Sequence, residues 1–302
     1  MLFGLWVEPE MISQNSMLYE KYPDWAVKIP GRDPSIGKNQ FILDLTRDDV
    51  RRHIIDIMAE AFALGKVDYV RWDMNRVFSD IYSVSLSNMG EFCHRYVLGL
   101  YEILNALVRA FPKILFEGAT SCGNRFDLGL LCFMSQCTAS SDSDILSMVK
   151  SQEGTSYGYP LAVMGNTIGP SFNPITLRHV SIESAFNVGA FGSLSYNVDF
   201  SELNSKERDI IENQIAYYKI HRPLLQYGKF CRICDETSDN RTLWIVSSKD
   251  YSEMIVLDFQ YLTPMNGNQQ VLRIPFANPN SAYFVTARGC EEEHFYVTGD
   301  VL

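Results

Sequence analysis

No stretch of this chain stays apolar for the roughly 20 residues that a transmembrane helix needs, so no membrane partner is expected. Basic residues are also scarce: 26 Lys and Arg stand against 36 Asp and Glu, for a net charge of −10. They nowhere gather into a run, which argues against a nucleic-acid partner. The opening Met1–Val7 lacks the basic region, longer apolar core and small-residue cleavage site of a secretory signal. Its seven cysteines (Cys93, Cys122, Cys132, Cys137, Cys231, Cys234 and Cys290) are odd in number and scattered, as reduced thiols would be. A cytoplasmic protein is the expectation. Cys231-Arg232-Ile233-Cys234 has metal-ligand spacing, but no second pair accompanies it, and Phe230–Ile233 alternates as a strand does. His53, His94, His179, His221 and His294 show no ligand spacing either. No metal and no cofactor are expected.

What is present is an alternation of strand-like and helix-like segments. Leu2–Val7 reads as a strand stopped by Pro9, and a long aromatic loop follows. From Thr46, taken as the cap, Val50, Ile54, Ile57, Ala61 and Leu64 recur at helical spacing up to Gly65. A second helix is expected over 88–110, ended by Pro112, and a third over 205–225, opened by Asn204 and Glu207 as a capping box. Strands are expected at Val67–Trp72, Ile114–Phe116 (ending in Glu117), Thr138–Ser140, Leu161–Met164 and Phe191–Tyr196, with helical patterns near Ile145–Gln152 and Leu177–Phe186.

This βα order points to a parallel sheet and, at this length, a (β/α) barrel over residues 1–226. Beyond it come short β-type runs, Thr242–Ser247, Met254–Phe259, Val271–Ile274, Ala282–Val285 and Phe295–Val297, separated by turn signals. They form a small all-β module over 227–302.

The stretch Val67-Asp68-Tyr69-Val70-Arg71-Trp72-Asp73-Met74-Asn75-Arg76 is the chemical centre of the chain. In a (β/α) barrel, the C-terminal end of each strand faces the mouth where chemistry is done. Asp73 there is a candidate nucleophile or base; an ordinary turn or cap Asp is the alternative.

Gly4-Leu5-Trp6-Val7-Glu8-Pro9-Glu10-Met11, Asn39-Gln40 with Leu43-Asp44-Leu45, Trp72-Asp73-Met74-Asn75-Arg76, Arg125-Phe126-Asp127, and Gly154-Thr155-Ser156 with Tyr159-Pro160 together resemble the catalytic region of glycoside hydrolase family 36, the bacterial α-galactosidases. The resemblance implies strands three to eight of a (β/α)8 TIM barrel followed by a β-sandwich, and hydrolysis of terminal α-galactosides with retention. It makes Asp73 the nucleophile and Trp6 the aromatic platform under the sugar. Lys38, Arg71, Asn75, Ser121 and Gly123 fall at sugar-contacting positions.

The departures matter as much. The family's acid/base aspartate aligns with Ser141, in Ser140-Ser141-Asp142-Ser143-Asp144, so that role is lost or has moved to Asp142. The family's Lys before Trp-Asp is Arg71, the Arg of its Gly-Arg-Asn is Lys38, its Cys is Ala119 and its His is Thr167. Family members carry an N-terminal β-sandwich and two earlier barrel strands, with a paired Asp that grips galactose, ahead of the segment matching Leu2.

Two readings follow: an α-galactosidase or galactosyl-transferring relative acting through Asp73, or a catalytically inactive remnant or fragment. Unpaired edges at Leu2–Val7 and Phe191–Tyr196 suggest homo-oligomers or a complementing fragment. Asp127 with Arg125 reads as a structural ion pair, Asp144 as a helix cap, and Glu117 as a buried group hydrogen-bonded to a loop.

Overall fold

Short runs of β-branched and aromatic residues become strands because alternate side chains can be buried on one side of a pleated sheet. The computed structural model describes residues 1–119, 126–140, 142–233, 240–262, 265, 272–288 and 294–302. Six such runs make one sheet in strict chain order: β1 (Gly4–Val7), β2 (Tyr69–Asp73), β3 (Leu115–Ala119), β4 (Gln136–Thr138), β5 (Met164–Ile168) and β6 (Ser193–Tyr196). The ladders from β1 through β5 are parallel. Helices α1 (Asp48–Gly65), α2 (Phe92–Ala110), α3 (Ile145–Ser156), α4 (Ile182–Gly189) and α5 (Ser205–Tyr227) alternate with the strands. This is the expected partial (β/α)8 barrel.

By its contacts the chain divides into two compact units, Met1–Ser141 with Val163–Gly165, and Asp142–Ala162 with Asn166–Leu302. In the first, Val70 and Trp72 of β2 pack with Leu100, Ile103, Leu104 and Leu107 of α2 in a continuous core. Glu10 is fully buried there and accepts hydrogen bonds from Trp72 Nε1 and Tyr96 OH, each at 3.0 Å. In the second unit, β7 (Lys229–Ile233), β8 (Arg241–Ser247) and β9 (Met254–Gln260) form an antiparallel sheet, and β10 (Ala282–Thr286) pairs with β11 (His294–Thr298). Its core includes Trp244 against Phe191 and Phe230.

Several expected boundaries move. Thr46 is not the cap of α1; its hydroxyl bonds Asp44 at 2.6 Å, and Arg47 stands at the cap without a side-chain capping bond, its guanidinium donating to Asp24 and Asp49 instead. The left-handed residue ending that helix is Lys66, one beyond Gly65. Leu161–Val163 is a 3-10 turn and the strand begins at Met164. Leu177 lies in a two-stranded ribbon (Phe172–Asn173 with Arg178–His179) rather than in α4. No strand forms at 272–274, and Val271 lies outside the described residues. The capping box of Asn204 and Glu207 forms as the sequence requires.

Asp144 caps α3, accepting from the backbone N–H of Leu146 and Ser147, and is further bonded by Thr176 and Arg178. Burial alone would raise its pKa, yet those four partners outweigh it and hold the carboxyl below the usual range. Such a group stabilises the fold fully above its unfolded pKa of about 3.9, and that contribution is lost as pH falls through the lower folded value. Urea midpoints of the wild type and Asp144→Asn should therefore differ by a constant amount from pH 7 to 5 and converge below about pH 4. A difference that keeps its full size as the pH falls through both the unfolded and the folded value would show that the charge contributes nothing. In the first unit, Glu10→Leu strands two buried donors and should cost about 2–5 kcal/mol in urea denaturation. Glu10→Gln keeps one acceptor and should lose less; an unchanged midpoint for Glu10→Leu would refute the anchoring role.

Candidate active site

The two faces of β2 are chemically opposed. Val70 and Trp72 point to the helices and are fully buried, so Tyr69, Arg71 and Asp73 share the other face. Asp73 is the last residue of β2, at the C-terminal end of the sheet. Both its oxygens are held: Trp6 Nε1 donates to Oδ2 at 3.1 Å, and the Met74 backbone N–H donates to Oδ1 at 2.8 Å. Asp73 is 9% exposed, whereas Trp6 keeps 54% of its surface open. An indole that both orients the carboxylate and presents a free apolar face suits a pyranose beside the nucleophile.

Two residues on, the Asn75 Nδ2 donates to Glu8, and Lys38 Nζ donates to the Asn75 Oδ1 at 3.4 Å. Lys38 reaches there from a two-residue turn, Gly37–Gln40, closed by reciprocal backbone bonds of 3.2 and 3.0 Å. Both central residues, Lys38 (φ 50°) and Asn39 (φ 60°), are left-handed, a conformation disfavoured for side chains other than glycine and asparagine. The turn rests on Arg76, which is 7% exposed and donates to Ser35 O at 2.6 Å. A Cβ on Gly37 would lie 2.5 Å from the Arg76 Nη1, so a side chain there would push the guanidinium out of its place under the turn.

Below Asp73 the inner face is a polar ladder. Arg71 pairs with Glu117 at 3.3 Å, and Glu117 also accepts from Thr138 at 2.6 Å and from Tyr69. Gln136 Nε2 donates to Tyr69 OH at 2.9 Å. Burial, then the charge of Glu117, pushes the Tyr69 pKa upward, so the phenol stays a proton donor. Glu117 lies inside β3 rather than at its end, with its carboxylate packed where a Cβ on Gly165 would come within 3.0 Å. Arg71 is therefore anchored by a buried carboxylate, and Glu117 is a buried hydrogen-bonding group, but its partners among the described residues stand on β2 and β4 rather than on a loop as the sequence suggested.

Asp142 belongs to the second unit. It is exposed, and its Oδ1 accepts the Asp144 backbone N–H at 2.9 Å. Ser121, Gly123, Arg125 and Ser141 lie outside the described residues. Asp127 accepts from Tyr101 OH at 3.1 Å and from the Leu130 N–H at 2.9 Å. Among the described residues no cluster of His, Cys, Asp and Glu could hold a metal. Sequence reasoning quoted Glu8, Glu10 and Arg76 in its motifs without a role for any of them. Their even spacing with Trp6, at 6, 8 and 10, was the available signal for the two glutamates.

Comparison with known proteins places this geometry. The Melibiase family model matches residues 1–228. α-Galactosidase 1 of Pediococcus pentosaceus is 40% identical over 283 residues, covering 93% of this chain and 39% of the relative. The crystal structure of the glycoside hydrolase family 36 α-galactosidase AgaA of Geobacillus stearothermophilus superposes with a TM-score of 0.91 at 37% identity, covering 99% of this chain and 41% of that one. A variant of AgaA solved with raffinose matches with a TM-score of 0.90 at 34% identity, covering 98% and 44% of the two chains. The chain thus spans about two fifths of the length of the relatives it matches. It belongs to the Melibiase family, with the fold of the family 36 α-galactosidases.

Proposed function

We propose that this chain carries the nucleophile side of a retaining α-galactosidase site. The observation that supports this most is Asp73, at the C-terminal end of β2 with each oxygen oriented by a donor. One oxygen attacks the anomeric carbon of a terminal α-galactoside, the C–O bond to the leaving group breaks, and a galactosyl ester forms on Asp73. Water then attacks the anomeric carbon of that ester and loses a proton to a base, the C–O bond to Asp73 breaks, and galactose leaves with the anomeric configuration retained. Trp6 would stack on the sugar, while Lys38, Asn75 and Arg71 offer polar contacts to its hydroxyls. Arg71 has five N–H donors in a planar fork, and the Glu117 pairing uses one edge of it. Raffinose bound by the AgaA variant supports an oligosaccharide with a terminal α-galactose as the substrate class.

The leaving oxygen needs a proton in the first step. Ser141, at the aligned position, has a hydroxyl far too weakly acidic to supply it near neutral pH. We assign the proton transfer to Asp142, its exposed neighbour. A second reading, an inactive sugar-binding scaffold, is favoured by the bond that ties Asp142 to the turn before α3. In either reading we take residues 1–226 as the sugar-handling part and 227–302 as a β module, a division supported by the family match ending at residue 228, although by contacts the β module shares a compact unit with Asp142–Ala162 and the residues from Asn166.

Leaving-group chemistry separates the two readings. A nitrophenyl α-galactoside needs little protonation, so a site with Asp73 in place should cleave it even when acid catalysis, worth roughly 10²–10⁴-fold, is weak. Azide should intercept the intermediate as galactosyl azide, because an anion needs no general base. With the full polypeptide containing these residues, turnover should vanish in Asp73→Asn, fall in Asp142→Asn for raffinose more than for the nitrophenyl substrate, and rise in Ser141→Asp. No turnover of the activated substrate, with or without azide and even in Ser141→Asp, would leave the inactive scaffold as the correct reading.

A further inference from the structure

We infer that Glu8 is a positioning residue of the sugar site, fixing the sense of the Asn75 amide and through it the place of Lys38. The inference rests on the proposed sugar site. The two ends of the Asn75 amide meet groups of opposite character: Nδ2 faces the carboxylate of Glu8 and Oδ1 faces the ammonium of Lys38. A carboxylate only accepts and an ammonium only donates, so one orientation of the amide satisfies both. Turned over, the carbonyl would meet the carboxylate and the amino group the ammonium, and both contacts would repel. The order carboxylate, amide, ammonium is thus self-specifying.

Each support is rigid. Glu8 follows directly on β1 and precedes Pro9, whose ring restricts the backbone, and Glu10 two residues on is locked in the core by Trp72 and Tyr96. Asn75 is two residues past Asp73. Lys38 stands in the left-handed turn seated on Arg76. Trp6, Glu8 and Glu10 therefore bond Asp73, Asn75 and Trp72 respectively, so the end of β1 and the turn after it set the nucleophile, the amide and the buried indole between them. A purely structural Glu8 would couple to Asn75 but not to Lys38; the relay couples all three.

Two measurements on the full polypeptide test this. D-galactose affinity, by calorimetry, should fall roughly tenfold in Glu8→Ala and in Lys38→Ala, and the double variant should be no weaker than the weaker single one. Glu8→Gln, which still presents a carbonyl to Asn75, should recover most of the affinity. Losses that multiply in the double variant, or an unchanged Glu8→Ala, would overturn the relay. The second readout needs no ligand: the Asn75 side-chain amide resonance in a 1H–15N spectrum should shift in Glu8→Ala and again in Lys38→Ala. Indifference to either substitution overturns the proposal. If the wild type binds no galactose while the amide answers to both, the sugar-site reading fails and the relay stands.

Discussion

The parallel register of β1 against β2 is the constraint on which the candidate site depends. It sets Trp6 opposite Arg71 and Val7 opposite Trp72, so the indole of Trp6 comes beside the strand end that carries Asp73. A slip of one residue would exchange the faces of β1 and point Trp6 into the helical layer. The slip is forbidden because one strand of the pair would have to turn over: for β1 this exposes Leu5 and Val7, which pack against the core, and for β2 it exposes a fully buried face. Val70 and Trp72 are fully buried, and each such side chain gains roughly 2–3 kcal/mol from leaving water. Turning that strand over would expose them and bury Arg71 and Asp73 in an apolar layer, at a further cost per unpaired charge. The hydrophobic face thus dictates where the polar one points.

The inner face is affordable only because its groups partner one another. Glu117 is nearly buried, and three side chains from two other strands, Tyr69, Arg71 and Thr138, converge on its two oxygens. Thr138 and Tyr69 are neutral donors, and the charge comes from Arg71 alone. A guanidinium fits this arrangement better than an ammonium, since a planar fork can hold Glu117 with one edge and keep donors directed elsewhere. The exchange of the family's Lys for Arg71 is therefore coupled to the carboxylate beneath it. It concerns a network as much as a sugar contact.

Much of the fold was legible because it is written in hydrophobic periodicity. The six strands in chain order and the five helices between and after them follow from runs such as Val50, Ile54 and Leu64 or Val67, Tyr69 and Val70. The errors fall where local chemistry had a distant competitor. Thr46 has the residue type of a cap, but Asp44 and Ser83 take its hydroxyl. Glu117 looked like a strand terminus because a charge ends an apolar run, yet its neighbours in β2 and β4 supply the donors that let the strand continue through it. At the site, Asp73 and Trp6 were legible through family resemblance. The roles of Glu8, Glu10 and Arg76 were not, since each acts on a partner at least 35 residues away in the chain, and spacing along a sequence carries no such information.

The distribution of the departures from the family bears on what the site has kept. Positions that orient Asp73 and its surroundings retain their bonding: Trp6, Asn75 and the glutamates beside them are joined in the structure. Lys38 and Arg71 differ from the family, but each keeps a positive charge and each finds a partner, in Asn75 and Glu117. Ser141 is different in kind, because serine retains neither the charge nor the acidity of the aspartate it stands for. The nucleophile side of the proposed site is thus held by a bonded network whose buried members, Glu10, Asp73 and Arg76, are costly to lose, because removing one leaves its partner unsatisfied.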